Sequence, residues 1–254
     1  MQMDRSYVLP EIVELYDLLN TGHADHNFYA KLAAHSQGPV MELGCGTGAA
    51  LLYIVNREKA ETRPFVGIDP APQMLAIARS KAEAERVTWV EGVLSDFESQ
   101  QRFDLIFMTV HAFQCLLSDE EITDTFRAAL RLLSPEGIFA FETRNPLCAP
   151  WENWRKGSHT DVTIVTHNGE SVRVWQEVQE IRAGFVTFDQ HHHFIDLDRI
   201  VSTRSTLRFL KLDEVRARAE EAGLALKAVH GDWSGKPFEE TDKEIILQLV
   251  PASA

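Results

Sequence analysis

The sequence predicts an α/β protein, with a doubly wound, mostly parallel seven-stranded sheet and an antiparallel β insertion over the pole where the strands end. Three observations carry this reading. From Val40 to Phe141, apolar runs alternate with helical patterns, as successive βαβ units require. The first run leads into Gly44, Gly46 and Gly48, spaced at every second position, and then into a helix pattern. From about residue 146 to 210 the alternation stops and four strand-like stretches follow one another, with Asn168-Gly169 as a hairpin signal. The expected division is 1–145 for N-terminal helices and ligand-binding core, 146–210 for the insertion, and 211–254 for a closing helix and strands.

Taken in order, residues 10–19 place Ile12, Leu15, Tyr16 and Leu19 on one helical face, with Pro10 suited to a first turn. Asn20-Thr21-Gly22 is a stop, and residues 27–35 read as a second helix. After the Val40 run, strands are expected at 64–68, 87–90, 103–109 and 138–141. Between the last two, Ser118 and Glu121 form a capping-box pattern, followed by Ile122, Phe126, Ala129, Leu130 and Leu133 at helical spacing. Ser134-Pro135-Glu136-Gly137 is expected to end that helix. The insertion offers strands at 162–165, 171–181, 185–197 and 202–209. Helical pattern returns over 211–222 with Gly223 as its stop, and 224–229 and 244–250 are the closing strands.

Bulk properties narrow the classes. The chain has 254 residues, 44% of them hydrophobic, and no run approaches the ~18 apolar residues of a membrane span. Met1-Gln2-Met3-Asp4-Arg5 lacks the basic-then-apolar layout of a secretory signal, so a cytoplasmic protein is expected. Formal net charge is -13, from 38 acidic and 25 basic residues, which disfavours a nucleic-acid partner. Cys45, Cys115 and Cys148 are too widely spaced for a disulfide framework or C-x-x-C metal site, and Cys45 reads as a small residue fitting the turn.

Gly44, Gly46 and Ala49 formally satisfy a dinucleotide pattern, but Glu42 precedes the first glycine by two residues. A carboxylate there opposes a pyrophosphate and favours S-adenosylmethionine, which carries a sulfonium and an ammonium. Glu42-Leu-Gly-Cys-Gly-Thr-Gly48 resembles motif I of class I S-adenosylmethionine-dependent methyltransferases. Phe65-Val-Gly-Ile-Asp69-Pro70-Ala-Pro-Gln-Met74-Leu75 is similar to the family's second strand and following turn. The resemblance implies a Rossmann-like sheet whose last strand is antiparallel, with S-adenosyl-L-methionine as cofactor and S-adenosylhomocysteine as product. It places Glu42, Gly44, Cys45, Gly46, Pro70 and Met74 around the cofactor and gives Asp69 the ribose hydroxyls. In the family the N-terminal helices close over the cofactor; Tyr16 and Tyr29 either join it or only pack. After the third strand, Gly92 aligns Val93 and Leu94 with the adenine contacts, where many relatives have an acid. Asp96 lies a little further on as an alternative.

Methyl transfer is an in-line displacement in which alignment supplies much of the rate, and a base matters only where the acceptor must lose a proton. Ligands of a doubly wound sheet sit at strand carboxyl ends. Met108 and Thr109 are therefore expected near the methyl group, with Val110 and Phe113 beside the substrate and His111 as base or hydrogen-bond donor. Arg144 and Asn145 leave the next strand at the same pole, to orient polar substrate atoms; a surface salt bridge is the other account of Arg144. Trp151, Trp154, Trp175 and Trp233 either stack on a planar ligand or form the insertion's own core. In His191-His192-His193 only the outer two share a strand face, so His191 and His193 are expected as a polar wall of the substrate cavity and no metal site is assigned. The expectation is a small-molecule acceptor, planar and heteroaromatic, methylated on N or O by a monomer or homodimer that binds neither nucleic acid nor membrane. Rival readings are a nicotinamide-dependent oxidoreductase and a non-catalytic S-adenosylmethionine-binding regulator.

Overall fold

The computed structural model describes residues 4–58 and 62–252. A 3-10 turn at Arg5–Tyr7 precedes α1 (Pro10–Val13), α2 (Tyr16–Leu19) and α3 (Ala24–Ala34). The core then runs β1 (Val40–Leu43), α4 (Ala49–Val55), β2 (Phe65–Asp69), α5 (Pro72–Ser80), β3 (Val87–Glu91), β4 (Phe103–Phe107), α6 (Asp119–Leu132) and β5 (Leu133–Arg144). The insertion carries β6 (Val162–Val165), β7 (Ser171–Arg182), β8 (Phe185–Phe194) and β9 (Arg199–Arg208), and α7 (Leu212–Glu221), β10 (Leu224–His230) and β11 (Glu244–Pro251) close the chain.

The large sheet has the order β10-β11-β5-β4-β1-β2-β3. Its neighbours are parallel from β5 to β3, and β11 runs antiparallel to both β5 and β10. Alternation along the strands divides the core. Val40, Phe107, Ala140 and Ile246 pack with α3 and α4 on one face. Met41, Ile106, Phe141 and Leu247 pack with α6 and α7 on the other. Both faces are thus covered, as a parallel sheet needs. The expected capping box starts α6: Glu121 N–H donates to Ser118 Oγ at 3.0 Å and Ser118 N–H returns to Glu121 Oε2 at 3.0 Å.

The insertion folds into a separate antiparallel sheet of order β6-β7-β8-β9, and Asn168-Gly169 lies in the first hairpin connection. Its inner face packs Val172, Val174 and Phe194 against Leu15 of the N-terminal segment.

Among the boundaries that differ from expectation, three have a local cause. The single helix over 10–19 is two short ones, because Leu15 N–H bonds the Ile12 carbonyl at 3.0 Å, a tightened turn. That break lets Val13 face Met74 while Leu15 faces the insertion. Ser134-Pro135-Glu136-Gly137 lies inside β5 rather than ahead of it, at a register shift against β4 between Phe103 and Leu105. A Cβ on Gly137 would stand 2.6 Å from the Phe103 carbonyl oxygen, so the bulge needs glycine there. The third insertion strand ends at Phe194, where a 3-10 turn at Ile195–Leu197 and Asp198 at φ 47° reverse the chain.

Candidate active site

The carboxyl ends of β1, β2, β4 and β5 open into one cavity of about 1270 Å³. Beyond β1 the backbone takes left-handed values at Gly44 (φ 66°), Gly46 (φ 51°) and Gly48 (φ 72°), which folds the chain straight into α4. Asp69, at the end of β2, clips this turn in place. Its Oδ2 accepts from Gly46 N–H and its Oδ1 from Ala71 N–H, both at 2.8 Å. Burial raises the Asp69 pKa, and the two amides pull it back down.

Two further carboxylates are buried in the cavity wall, each 1% exposed. Glu42 accepts from Thr109 Oγ1 at 2.8 Å and from Leu51 N–H at 3.1 Å. Glu142 accepts from the Tyr29 hydroxyl and, at 2.9 Å, from His111 N–H. Desolvation pushes both up to about 8, against these hydrogen bonds. The sheet register sets them on one face: Glu42 stands opposite Phe107 and Phe107 opposite Ala140, two residues before Glu142.

The exit of β4 is a tight turn. Ala112 N–H bonds the Thr109 carbonyl at 3.0 Å, and both residues between them are left-handed, Val110 at φ 53° and His111 at φ 58°. A β-branched residue in that region is strained. His111 Nε2 lies 2.8 Å from Glu244 Oε2 of β11. Burial first, then the Arg144 guanidinium, lowers the imidazole pKa, and Glu244 opposes them. His111 is accordingly a neutral imidazole at neutral pH.

The remaining wall comes from distant segments. Asp4, Arg5 and Tyr7 line it from the N-terminal turn, and Thr203, Arg204 and Thr206 line it from β9. Ser6 Oγ donates to Thr203 Oγ1 at 2.8 Å and joins the two. Gln114 ties the insertion to the core, accepting from Arg144 Nη1 at 2.8 Å and donating to the Arg208 carbonyl at 3.1 Å.

This pairing of a glycine turn with an acid at the next strand end falls within residues 40–137, which match the family model described as a methyltransferase domain. Over these residues the chain carries a methyltransferase domain of the class I S-adenosylmethionine-dependent kind. Its cofactor is S-adenosylmethionine, which sets aside the nicotinamide alternative. A cypemycin N-terminal methyltransferase of Streptomyces sp. is 27% identical over 215 residues, covering 83% of this chain and 82% of its own length. The CcbJ methyltransferase of Streptomyces caelestis superposes with a TM-score of 0.72 at 21% identity, over 90% of both chains. A sugar N-methyltransferase of Streptoalloteichus sp. gives 0.68 at 19% identity, over 94% of this chain and 93% of its own.

In this methyltransferase, Tyr16, Glu42, Gly44, Cys45, Gly46, Asp69, Pro70 and Met74 line the cavity, as do Val93, Leu94, Met108 and Thr109. Val110, His111, Arg144 and Trp233 line it as well. Other expected site residues are not brought there. Tyr29 is fully buried behind Glu142, stacked on Phe107 with centroids 4.9 Å apart. Phe113 turns into the core and stacks on Phe141 at 4.4 Å, because the left-handed pair re-aims the chain beyond His111. Asn145 spends its amide on the carbonyls of Glu240 and Asp242, each at 2.8 Å, and its Oδ1 on Leu147 N–H. Trp151 packs edge-on to Phe209 at 4.7 Å and lines a separate depression with Trp154. His191 and His193 share a face, but neither lines the cavity: His191 stacks on Trp175 at 4.9 Å and bonds Ser202, while His193 meets Asp198. Asp96 does not line the cavity.

The sequence reading missed Asp17, Asp25 and Glu142 among the lining residues. Glu142 was detectable, because it interrupts the apolar run of β5 as Glu42 interrupts that of β1. Tyr7 and Thr203 carried no signal. Among the described residues no three His, Cys, Asp or Glu side chains are grouped to hold a metal, and no helix is long and apolar enough to cross a membrane.

Proposed function

We propose that this chain transfers a methyl group from S-adenosylmethionine to the nitrogen of a small, hydroxylated, amine-bearing acceptor. The observation that carries the reading is the acidic character of the buried cavity wall, with Glu42, Asp69 and Glu142 beside a neutral imidazole. Such carboxyl groups ionise beside a cationic donor or acceptor and so favour both, and the imidazole then accepts the proton that an ammonium must lose. Thr203, Thr206 and Arg144 are among the lining residues, and polar residues of this kind suit an acceptor bearing several hydroxyls. Of the relatives whose names state the methylated position, the cypemycin and sugar enzymes act at nitrogen, whereas an erythromycin 3''-O-methyltransferase, 31% identical over 127 residues, acts at oxygen. A planar heteroaromatic acceptor has less support, since of Trp151, Trp154, Trp175 and Trp233 only Trp233 lines the cavity.

The cofactor fits the residues present. The Glu42 contacts above, Thr109 and the Leu51 amide, are both uncharged, and its raised pKa marks a carboxylate short of positive charge. S-adenosylmethionine supplies an electrophilic methyl on a sulfonium, and the sulfur keeps the C–S electron pair when it leaves as a thioether. Asp69 retains lone pairs for the ribose hydroxyls after serving Gly46 and Ala71. Val93 and Leu94 offer the adenine apolar contact, and Tyr16 and Met74 cover the rest of the donor. His111 takes the acceptor's proton. The family assignment suits an expected cytoplasmic enzyme acting as monomer or homodimer.

Incubation of the protein and cofactor with matched panels of hydroxylated amines, alcohols and phenols tests the reading by mass spectrometry. A gain of one CH₂ on amines supports it; methylation confined to phenols or aromatic heterocycles overturns the acceptor class.

Proton linkage gives an independent check. Glu42, pushed up to about 8 by burial, is largely protonated at pH 7, and a cation beside it lowers that value. Donor binding therefore releases a proton, and affinity rises from pH 6 towards 8 and then levels. Calorimetry in buffers of different ionisation enthalpy reads this directly. Glu42→Gln should abolish that share of the release and weaken binding at pH 8.5 by roughly tenfold, the scale of one lost charge-assisted contact.

A further inference from the structure

His111 has one engaged ring nitrogen and one orphan. Nε2 is 2.8 Å from Glu244 Oε2, whereas Nδ1 is buried with no hydrogen-bond partner. His111 lines the cavity, and Glu244 does not. Glu244 begins β11, opposite Arg144 of β5, so the sheet register fixes where its carboxylate stands. We propose that Glu244 is a positioning residue for methyl transfer, holding His111 in the Nε2–H tautomer so that Nδ1 takes the acceptor's proton. The proposal rests on the amine-methylation reading above.

An ionised carboxylate only accepts, so the Nε2 that faces it carries the ring's single proton. Nδ1 is then a lone pair, and a buried acceptor without a donor on a cavity-lining residue calls for an explanation. An incoming ammonium N–H satisfies it. That proton passes to Nδ1, and the freed amine lone pair forms the N–CH₃ bond as the C–S bond breaks and its electrons go to sulfur. The imidazolium so formed lies against Glu244, which stabilises it. The other charged groups around His111 are Glu142, bonded to its backbone N–H, Arg144, which disfavours the imidazolium, and Asp25, which favours it.

Two measurements on the full chain test this. In ¹⁵N-histidine-labelled protein, the His111 resonances should report Nε2 protonated and Nδ1 bare, and Glu244→Gln should disturb this tautomer and lower the ring pKa. With an amine on which the wild type turns over, Glu244→Gln should reduce kcat on the order of 10-fold to 100-fold. KM and cofactor affinity should hold, and Glu244→Asp should recover part of the rate. A merely structural strut predicts instead that the isosteric glutamine keeps kcat and the pH profile. A protonated Nδ1 in the wild type, or an unchanged kcat in Glu244→Gln, overturns the proposal. Failure of the wild type to methylate any amine overturns the acceptor reading, and the resonances still decide the tautomer.

Discussion

His111→Ala is expected to lower kcat by roughly 10²–10³-fold, the usual contribution of a positioned base, while cofactor affinity measured by calorimetry stays close to wild type. The separation follows from the local structure. What His111 gives to the fold is its backbone N–H, which bonds Glu142 and survives the substitution. What it gives to the chemistry is an imidazole kept neutral by burial and by Arg144. Because those influences lower its pKa, the base stays unprotonated through the neutral range. The acid limb of the rate profile should therefore fall below pH 6.5, the ordinary histidine value. Near-normal turnover in the variant would remove His111 from the mechanism and leave alignment alone to account for the rate.

Asp69→Ala should weaken cofactor binding by at least about 10²-fold, because two charge-assisted hydrogen bonds are each worth ~1.5–3 kcal/mol. It also removes the acceptor shared by Gly46 N–H and Ala71 N–H, leaving two amides unpaired between the loops. Asp69→Asn separates these effects imperfectly, since one amide oxygen cannot serve both N–H groups and its NH₂ must face one of them. The alanine variant should also lose the rise in melting temperature that S-adenosylhomocysteine gives the wild type. Unchanged affinity would remove Asp69 from the ribose site.

The donor half of the cavity was legible because backbone geometry writes it into the sequence. Glycines at left-handed positions and an acid at the next strand end are local requirements, and Gly44, Gly46 and Asp69 meet them within one βαβ unit. The part of the cavity that the proposal gives to the acceptor is lined by Asp4, Arg5, Tyr7, Arg144 and β9, segments brought together only by the fold. Strand parity shows where such reading stops. Alternation correctly puts His191 and His193 on one side, yet which residues of that side reach the cavity depends on how the whole insertion docks. It docks through Val172, Val174 and Phe194, and their face is the one that takes His192 inward. For Phe113 the obstacle was local: nothing in Val110-His111 announces two consecutive left-handed residues, since a β-branched valine is poorly suited to that region.

That turn sets robustness against geometry. Each such residue costs ~1–3 kcal/mol that neighbouring contacts must offset. An engineer seeking heat tolerance would choose glycine at position 110, and the melting point would rise if the lost valine contacts were minor. The same change would free the loop that carries the imidazole to sample other orientations. Ageing and heat would then be resisted by a catalyst that no longer points its base in one direction.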